Sequence, residues 1–583
     1  MPLLTIPKKL EGMNKSEKYI LNKLKQLYMI EPQISYLYLE PKIKNLTPDF
    51  ILIDPIRGVI IIEVKAWSMD YIASINEKEV ISINGDILEN PAFKARRYYN
   101  TLLNVFRSYN SLVDIDNRLK INLQSVAILT EISSTEALDF GIDKLLNHYP
   151  ARVLYKNNLT KLSLDELFDN KIETVDISLL DTIRSAIFPE IKIANISNLN
   201  FIEQKILALD VEQERFAKSL PLGHYMIRGI PGSGKTVVLL SRAVYLAKLY
   251  PEWKILVLTY NKTLKEQLSL RLKRIQQDLD KLDISIKNIE VKTFHQMAMG
   301  LSSLTPDSFR ENRDKFWRDI LPSDALLGAK PTYDAILVDE YQDFYKHWFE
   351  LIIKLIIPHY KDNESYINLF LAGDMLQSIY HPKEVNWKQD IGLDMRGRSK
   401  LLKTSYRVTQ EQISLGLSIL IRDKKYKDEV ANFYEEGKDI LLRNNTKNSI
   451  EVLESDYWGV AQKYLSLLDN YKYEDVLVIA PCWSSINTLK RTLPYDVQKN
   501  VVSSKDLREK KSLFTTYHSS KGIESKVAII VDIDKIDDLK LIYVSITRAS
   551  SKLIIHGENL KNSLIYDNLS KFMDFSSYEK LAS

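Results

Sequence analysis

A single cysteine, Cys482, in 583 residues excludes an intramolecular disulfide and any zinc site built on several thiolates, so a bound metal must sit on oxygen or histidine ligands. Cys482 itself lies in VLVIAPCW, an apolar run expected to be buried. No stretch reaches the ~18 uninterrupted apolar residues that a membrane-spanning helix needs. The longest candidate, Leu351–Ile357, is broken by Lys354. The opening MPLLTIPKKLEG lacks a long apolar segment followed by a small-residue cleavage site, so no secretory signal is expected and the cytoplasm is the expected location. A strong charge of one sign is missing too: 80 basic against 76 acidic side chains leave +4, a mixed solvated surface that inclines only slightly toward phosphate partners. Repeats and low-complexity tracts are absent. The length suggests roughly three to five globular domains of ~150 residues each.

What is present begins at His224–Thr236, HYMIRGIPGSGKT. An apolar strand runs into Gly229, then Gly232, Ser233, Gly234, Lys235 and Thr236, with the helical stretch VVLLSRAVYLAKLY behind it. This is G-x-x-x-x-G-K-T in its strand–loop–helix setting. The glycines let backbone N–H groups curl round phosphates, and the helix start adds positive potential. Lys235 would reach the β/γ oxygens and Thr236 would hold Mg²⁺, which makes ATP and Mg²⁺ the expected cofactors. About a hundred residues on, YDAILV (333–338) reads as a strand ending in Asp339 and Glu340, followed by Gln342 and Asp343. Carboxylates at a strand's carboxyl end suit a metal and a water. Asp339 would position Mg²⁺, and Glu340 would polarise the water attacking the γ-phosphate in line.

Taken in order, the motifs from Leu207 to Gly557 resemble those of the UvrD/Rep-type superfamily 1 helicases. The resemblance implies that Gln213, in Asp210-Val-Glu-Gln213, reads the adenine edge. Thr259, Tyr260 and Asn261 of LTYNKTLKEQL, and His295 of Thr293-Phe-His295, would contact a single strand. Gln377, in LAGDMLQSIY (371–380), would sense the γ-phosphate and report to the nucleic-acid groove. Tyr406 would stack on adenine and Arg407 contact the γ-phosphate. In TTYHSSKGIES (515–525), His518 and Lys521 would touch nucleic acid and Glu524 the ribose. Arg548, closing Tyr543-Val-Ser-Ile-Thr-Arg548, would be an arginine finger supplied in cis. Trp387 of HPKEVNW is a candidate base-stacking residue. Such helicases usually carry a large subdomain between the Tyr-Arg and the fifth motif. Here only about a hundred residues separate Arg407 from Thr515. That subdomain must be small or absent, which describes a compact motor that translocates better than it unwinds.

Nearer the start, TPDFILIDPIRGVIIIEVKAW (47–67) holds two β-rich runs, Phe50–Ile53 and Val59–Val64, around a turn signal. With residues 54–58 as the loop, Ile53 pairs with Val59 and Asp49 faces Glu63. The period of two then puts Glu63 and Lys65 on one face. Two neighbouring carboxylates repel unless a cation lies between them. Mg²⁺, with Mn²⁺ as an alternative, is the natural occupant, and Lys65 would orient the attacking water. Pro48-Asp49, thirteen residues, then Glu63-Val-Lys65 resembles the PD-(D/E)xK nucleases, and Trp67 and Asn90-Pro91 resemble the nuclease-related NERD domain. Glu17, in a helix expected near Lys15–Leu27, matches a further acidic residue of that family. Lys94 stands where the family has glutamine, with Tyr98 one turn on.

The expected fold is α/β: two RecA-like P-loop lobes preceded by a small restriction-endonuclease-like domain. The parts would be 1–170, a connector at 171–200, a first lobe at 201–403 with a helical insertion near 296–330, and a second lobe at 404–583. Ile191–Asn200 holds no glycine or proline, so the first domain is expected to dock on the first lobe. DNA, single-stranded or tailed, is the expected partner, with RNA as an alternative and no membrane. A homo-oligomer or a partner subunit stays open. The fusion resembles bacterial nuclease–helicase immunity proteins that degrade phage nucleic acid. A repair motor whose first domain binds without cutting is the alternative.

Overall fold

The computed structural model describes residues 3–6, 12–43, 46–169, 179–193, 207–377, 385–436, 441–442, 444, 446–502 and 511–572. These residues contain three six-stranded sheets. The first is mixed, in the order β1 (Leu3–Ile6), β2 (Ser35–Leu39), β3 (Phe50–Asp54), β4 (Gly58–Lys65), β5 (Leu123–Leu129), β6 (Ala151–Leu154). β3 and β4 form the expected hairpin with Ile53 opposite Val59, a register that carries Asp49 to Glu63. Both faces are covered, so the strands read as nearly continuous apolar runs. Phe50, Leu52, Ile60 and Ile62 pack with Ile20 and Leu24 of helix α1 (Lys15–Leu27). Ile51, Ile53, Val59 and Ile61 face Tyr98, Leu102 and Phe106 of helix α2 (Pro91–Arg107). A small antiparallel sheet (Ile72–Ile75, Glu79–Ser82, Ile87–Glu89) precedes α2.

The second sheet is parallel throughout. Its strands are β7 (Tyr225–Gly229), β8 (Ile255–Thr259), β9 (Ile289–Thr293), β10 (Ala335–Asp339), β11 (Asn368–Gly373) and β12 (Ser399–Leu402), in the order β9-β8-β10-β11-β7-β12. Alternate side chains serve two cores: Ile255 and Val257 on one face, Leu256 and Leu258 on the other. The first core runs on from β3, β4 and α2 through helix α3 (Leu180–Ile187) into this sheet, so the amino-terminal unit is packed against it. Helices α4 (Val211–Lys218) and α5 (Lys235–Leu249) belong to the same core, and α6 (Lys262–Asp280) follows β8. Short helices lie at 294–299 and 306–328.

The third sheet is also parallel, with β13 (Ile450–Glu454), β14 (Val476–Ala480), β15 (Val501–Val502), β16 (Ser512–Thr516), β17 (Ser525–Ile530) and β18 (Ala549–Gly557) in the order β13-β18-β17-β14-β16-β15. Cys482 departs from its expected burial: β14 stops at Ala480, and the thiol is exposed at the start of the next helix. Of the connector, 171–178 and 194–200 lie outside the described residues. No helix among the described residues is long and apolar enough to cross a membrane.

Candidate nucleotide site

In parallel α/β sheets ligands collect beyond the carboxyl ends of the strands, because there loops and helix starts face one crevice. The loop after β7 does this. Gly232 (φ +74°) and Gly234 (φ +81°) take the left-handed backbone that lets the chain curl back on itself before α5 starts at Lys235. The Lys235 ammonium is buried, donates to the carbonyls of Gly229 (2.9 Å) and Ile230 (3.0 Å), and lies 3.9 Å from Asp374. Burial lowers its pKa despite the nearby Asp374 and Glu340. Ser233 Oγ and Arg407 Nε are buried without a hydrogen-bond partner, two donors that phosphate oxygens would satisfy.

At the end of β10, Thr236 Oγ1 donates to Asp339 Oδ2 (2.9 Å). Burial, and then Glu340, push Asp339 up to about 7. A divalent cation between this hydroxyl and carboxylate would relieve that cost, so these residues fit Mg²⁺. For Glu340, burial is outweighed by Lys521 and Lys235, which hold its carboxyl below the usual range as an ionised base requires. Asp343 is likewise pushed to about 7 by burial, partly offset by Lys521.

Residues leading into and belonging to the unit of the third sheet reach across the crevice. The Tyr406 amide donates to Gly232 (3.2 Å), and Ser405 Oγ to Pro231 (2.8 Å). Arg407 pairs with Glu524. Arg548 donates to Gln377 Oε1 (2.9 Å), and burial followed by Arg407 lowers it to about 10. A buried guanidinium with a second guanidinium beside it marks a place for an anion.

Residues 209–319 and 313–388 match the UvrD/REP helicase N-terminal domain. This part of the chain is similar to a UvrD-type helicase domain. The chain is 26% identical over 188 residues to an ATP-dependent helicase/nuclease subunit from Clostridium acetobutylicum, covering 29% of this chain and 14% of that protein. It is 25% identical over 281 residues to a "Probable DNA helicase" of Mycoplasma pneumoniae, covering 44% of this chain and 50% of that one. It thus spans half or less of the length of each of these two relatives. A solved structure titled "The structure of PRRSV helicase" aligns at 14% identity with a TM-score of 0.28, over 58% of this chain and 52% of that chain.

Several residues in and around the matched segment sit differently from expectation. Gln213 is buried with its amide already used: Nε2 donates to the Ser233 carbonyl (2.8 Å), and Oε1 accepts from the Asp210 amide (3.0 Å). It braces the phosphate loop instead of standing free for a base. Tyr406 has a partly exposed ring, and its hydroxyl is bonded to Asp210. Lys521, expected on the nucleic-acid face, is buried and bridges the units of the second and third sheets: its amine donates to Asp343 (2.8 Å) and to the Gln377 carbonyl (2.5 Å). Thr259 is wholly buried and so offers no contact to a strand. Asn261 caps α6 through the Leu264 amide (2.7 Å) and reaches the Lys521 carbonyl (3.4 Å). His518 is exposed.

Tyr260 and His295 join an aromatic group that the sequence motifs did not reveal. Trp348 stacks on Phe294 at 4.0 Å, with Tyr260 at 6.0 Å and His295 at 5.1 Å from its ring. Trp317 lies 5.4 Å from His295. The available signal was KHWFELIIK, whose apolar spacing points to a helix without saying what its tryptophan meets. Trp387 is half-buried against Phe349 (4.9 Å) and Tyr341 (6.0 Å). Residues 378–384, including Tyr380, lie outside the described residues.

In the first sheet, Glu63 is fully buried. Its Oε1 accepts from both Lys65 and Lys94, each at 2.8 Å, and its Oε2 from Tyr98 (3.3 Å). Asp49 accepts from the Val64 amide (2.5 Å), and burial followed by Glu63 raises it to about 7. Glu17 does not complete a metal site: its carboxylate accepts the Asn14 amide (2.9 Å) in a capping box at the start of α1. Among the described residues, no group of three or more His, Cys, Asp or Glu side chains could hold a metal ion. The residues here do not fit a divalent metal as they stand.

Proposed function

We propose that the chain is an ATP-driven motor of two RecA-like lobes that moves along single-stranded nucleic acid, DNA before RNA. The observation that carries this is Gln377: just beyond β11 in the first lobe, its side-chain oxygen accepts from Arg548 and its carbonyl from Lys521, both in the second lobe. One residue thereby ties the phosphate crevice to the relative position of the lobes. Lys235, Arg407 and Arg548 would surround a γ-phosphate and spread its developing charge, Thr236 and Asp339 would hold Mg²⁺, and Glu340 would take the proton of the attacking water. Once that charge leaves, the two guanidiniums repel, the crevice opens, and the lobes step along the strand. The small interval between Arg407 and Thr515 favours translocation over strand separation.

The amino-terminal unit supports a second reading in two forms. As a nuclease, its Asp49, Glu63 and Lys65 would cut the strand that the motor delivers, in defence against phage DNA or in repair. As a clamp, it would hold nucleic acid without cutting. Lys94 on Glu63 favours the clamp. ATP turnover and strand cleavage across single-stranded, duplex and tailed DNA and RNA test both parts. Lys235→Ala is expected to abolish nucleic-acid-stimulated hydrolysis. A wild-type chain whose ATP turnover ignores every nucleic acid would contradict the motor, and cleavage lost in Glu63→Ala would establish the nuclease.

A further inference from the structure

We propose that Lys94 is a built-in cation of the Asp49–Glu63 pair, and that this site takes a backbone phosphate of nucleic acid without a divalent metal. The inference rests on the reading that the amino-terminal unit touches nucleic acid.

The placement of Lys94 follows from the sequence of α2. Asn90 caps the helix through the amides of Ala92 (3.0 Å) and Phe93 (3.4 Å). Ala92 and Ala95 pack against Ala127 of β5 and Ala151 of β6, and four small side chains let the helix lie close to the sheet. Lys94 then projects over β4, with Tyr98 one turn later on the same carboxylate.

Charge and occupancy decide what the site can hold. Asp49 and Glu63 lie beside two ammoniums, Lys65 and Lys94, so even with both carboxyls ionised the cluster is balanced before any ion arrives. Mg²⁺ needs near-octahedral oxygens at about 2.0–2.1 Å. Here the Glu63 oxygen nearest the lysines already accepts two ammoniums, and Tyr98 takes the other. A dication added beside two ammoniums in hydrogen-bond range would be repelled by both. The outward face differs from the inner one: Glu63 is sealed, whereas the Lys65 and Lys94 side chains keep 26% and 24% of their exposure. Beside the half-buried Asp49, it is these two lysine side chains that stay partly open to solvent, and paired ammoniums are the chemistry that receives a phosphate.

The test uses the full chain and two readouts. In the first, Mn²⁺ alone is titrated and followed by its free-ion resonance, with Asp49→Asn subtracting uptake elsewhere. The expected result is no Asp49-dependent Mn²⁺ in wild type, and a gain of one ion in Lys94→Gln with affinity tightened by about ten- to a hundredfold, the range over which neighbouring groups tune metal sites. Lys94→Met, which keeps the stem and drops the charge, should gain the ion too. In the second, binding of a short oligothymidylate is measured in EDTA across salt concentrations. Lys94→Gln should reduce the log–log slope by about 1, the loss of one phosphate contact. Asp49-dependent Mn²⁺ in wild type, no gain in either Lys94 variant, or an unchanged salt slope would each overturn the proposal. The Mn²⁺ arm does not need the motor to work, and ATP hydrolysis by the variants reports that they are folded.

Discussion

Glu340 holds left-handed backbone at φ +53° although it carries a Cβ, and it does so directly after the buried strand that delivers Asp339. Such a conformation costs of order 1–3 kcal/mol and persists only where its surroundings over-determine it. Here Gln342 donates to Glu340 and Lys521 attracts it, so the strain is spent on aiming one carboxylate. His295 shows burial acting on a base. It is lowered from 6.5 to about 4 and is therefore neutral in the fold. An unfolded chain binds this proton near pH 6.5 and the folded one does not. The stability it contributes is present above that value and is lost as pH falls toward 4. His295→Gln should flatten the fall of unfolding free energy over that interval by up to roughly 3 kcal/mol. Urea unfolding of both proteins at neutral and acid pH reads the difference, and equal slopes would show that His295 is not the group responsible.

At the scale of elements, the phosphate loop is the most demanding. A Cβ on Gly234 would lie 2.5 Å from Gln213 Nε2, on a backbone with φ +81°. Gly234→Ala should therefore expel the Gln213 amide from its bond to Ser233 and carry in addition about 1–2 kcal/mol of left-handed strain. Nucleotide affinity is expected to drop at least about tenfold, and a fluorescent nucleotide titration checks it. The β3–β4 hairpin and this loop were both legible in the sequence, since each depends on neighbours in the chain: a turn between β-rich runs, and glycines between a strand and a helix. The aromatic group round Trp348 was not. It assembles from α-helical and loop residues between 260 and 348 whose spacing carries no common period.

Across the whole molecule, a buried ionic network fastens the amino-terminal unit to the unit of the second sheet. Arg184, on α3, donates to Glu214 (2.6 Å) and to the Tyr38 hydroxyl of the first sheet (3.1 Å). Lys218 pairs with Glu214 (2.8 Å) and Glu190 (3.3 Å), and Lys248 at the end of α5 also reaches Glu190 (3.0 Å). Glu214 adjoins Gln213, which touches the phosphate loop, so the contact surface and the nucleotide crevice share one helix. Removing one partner of a buried pair strands the other charge at a cost of about 3–5 kcal/mol. Arg184→Met should lower the thermal midpoint of the chain clearly, and Arg184→Lys should recover part of it. A midpoint unchanged in Arg184→Met would mean that the network does not hold the two parts together.

By itself the sequence determined the local chemistry: the phosphate loop, the Asp339–Glu340 pair at a strand end, and the Asp49–Glu63 register, all of which follow from short-range pattern and pairing. It could not determine how many of those groups were already engaged. Lys521 and Gln213 have the residue types of ligand contacts, and only the packing of distant segments shows the first pinned to Asp343 and the second to the phosphate loop. Lys94 is the same case. Position in the chain marks it as one lysine on an amphipathic helix, but the close approach of α2 to the sheet decides that its charge rests on Glu63. Burial and charge balance are sums over everything nearby in space, and those neighbours are set only when the chain has folded.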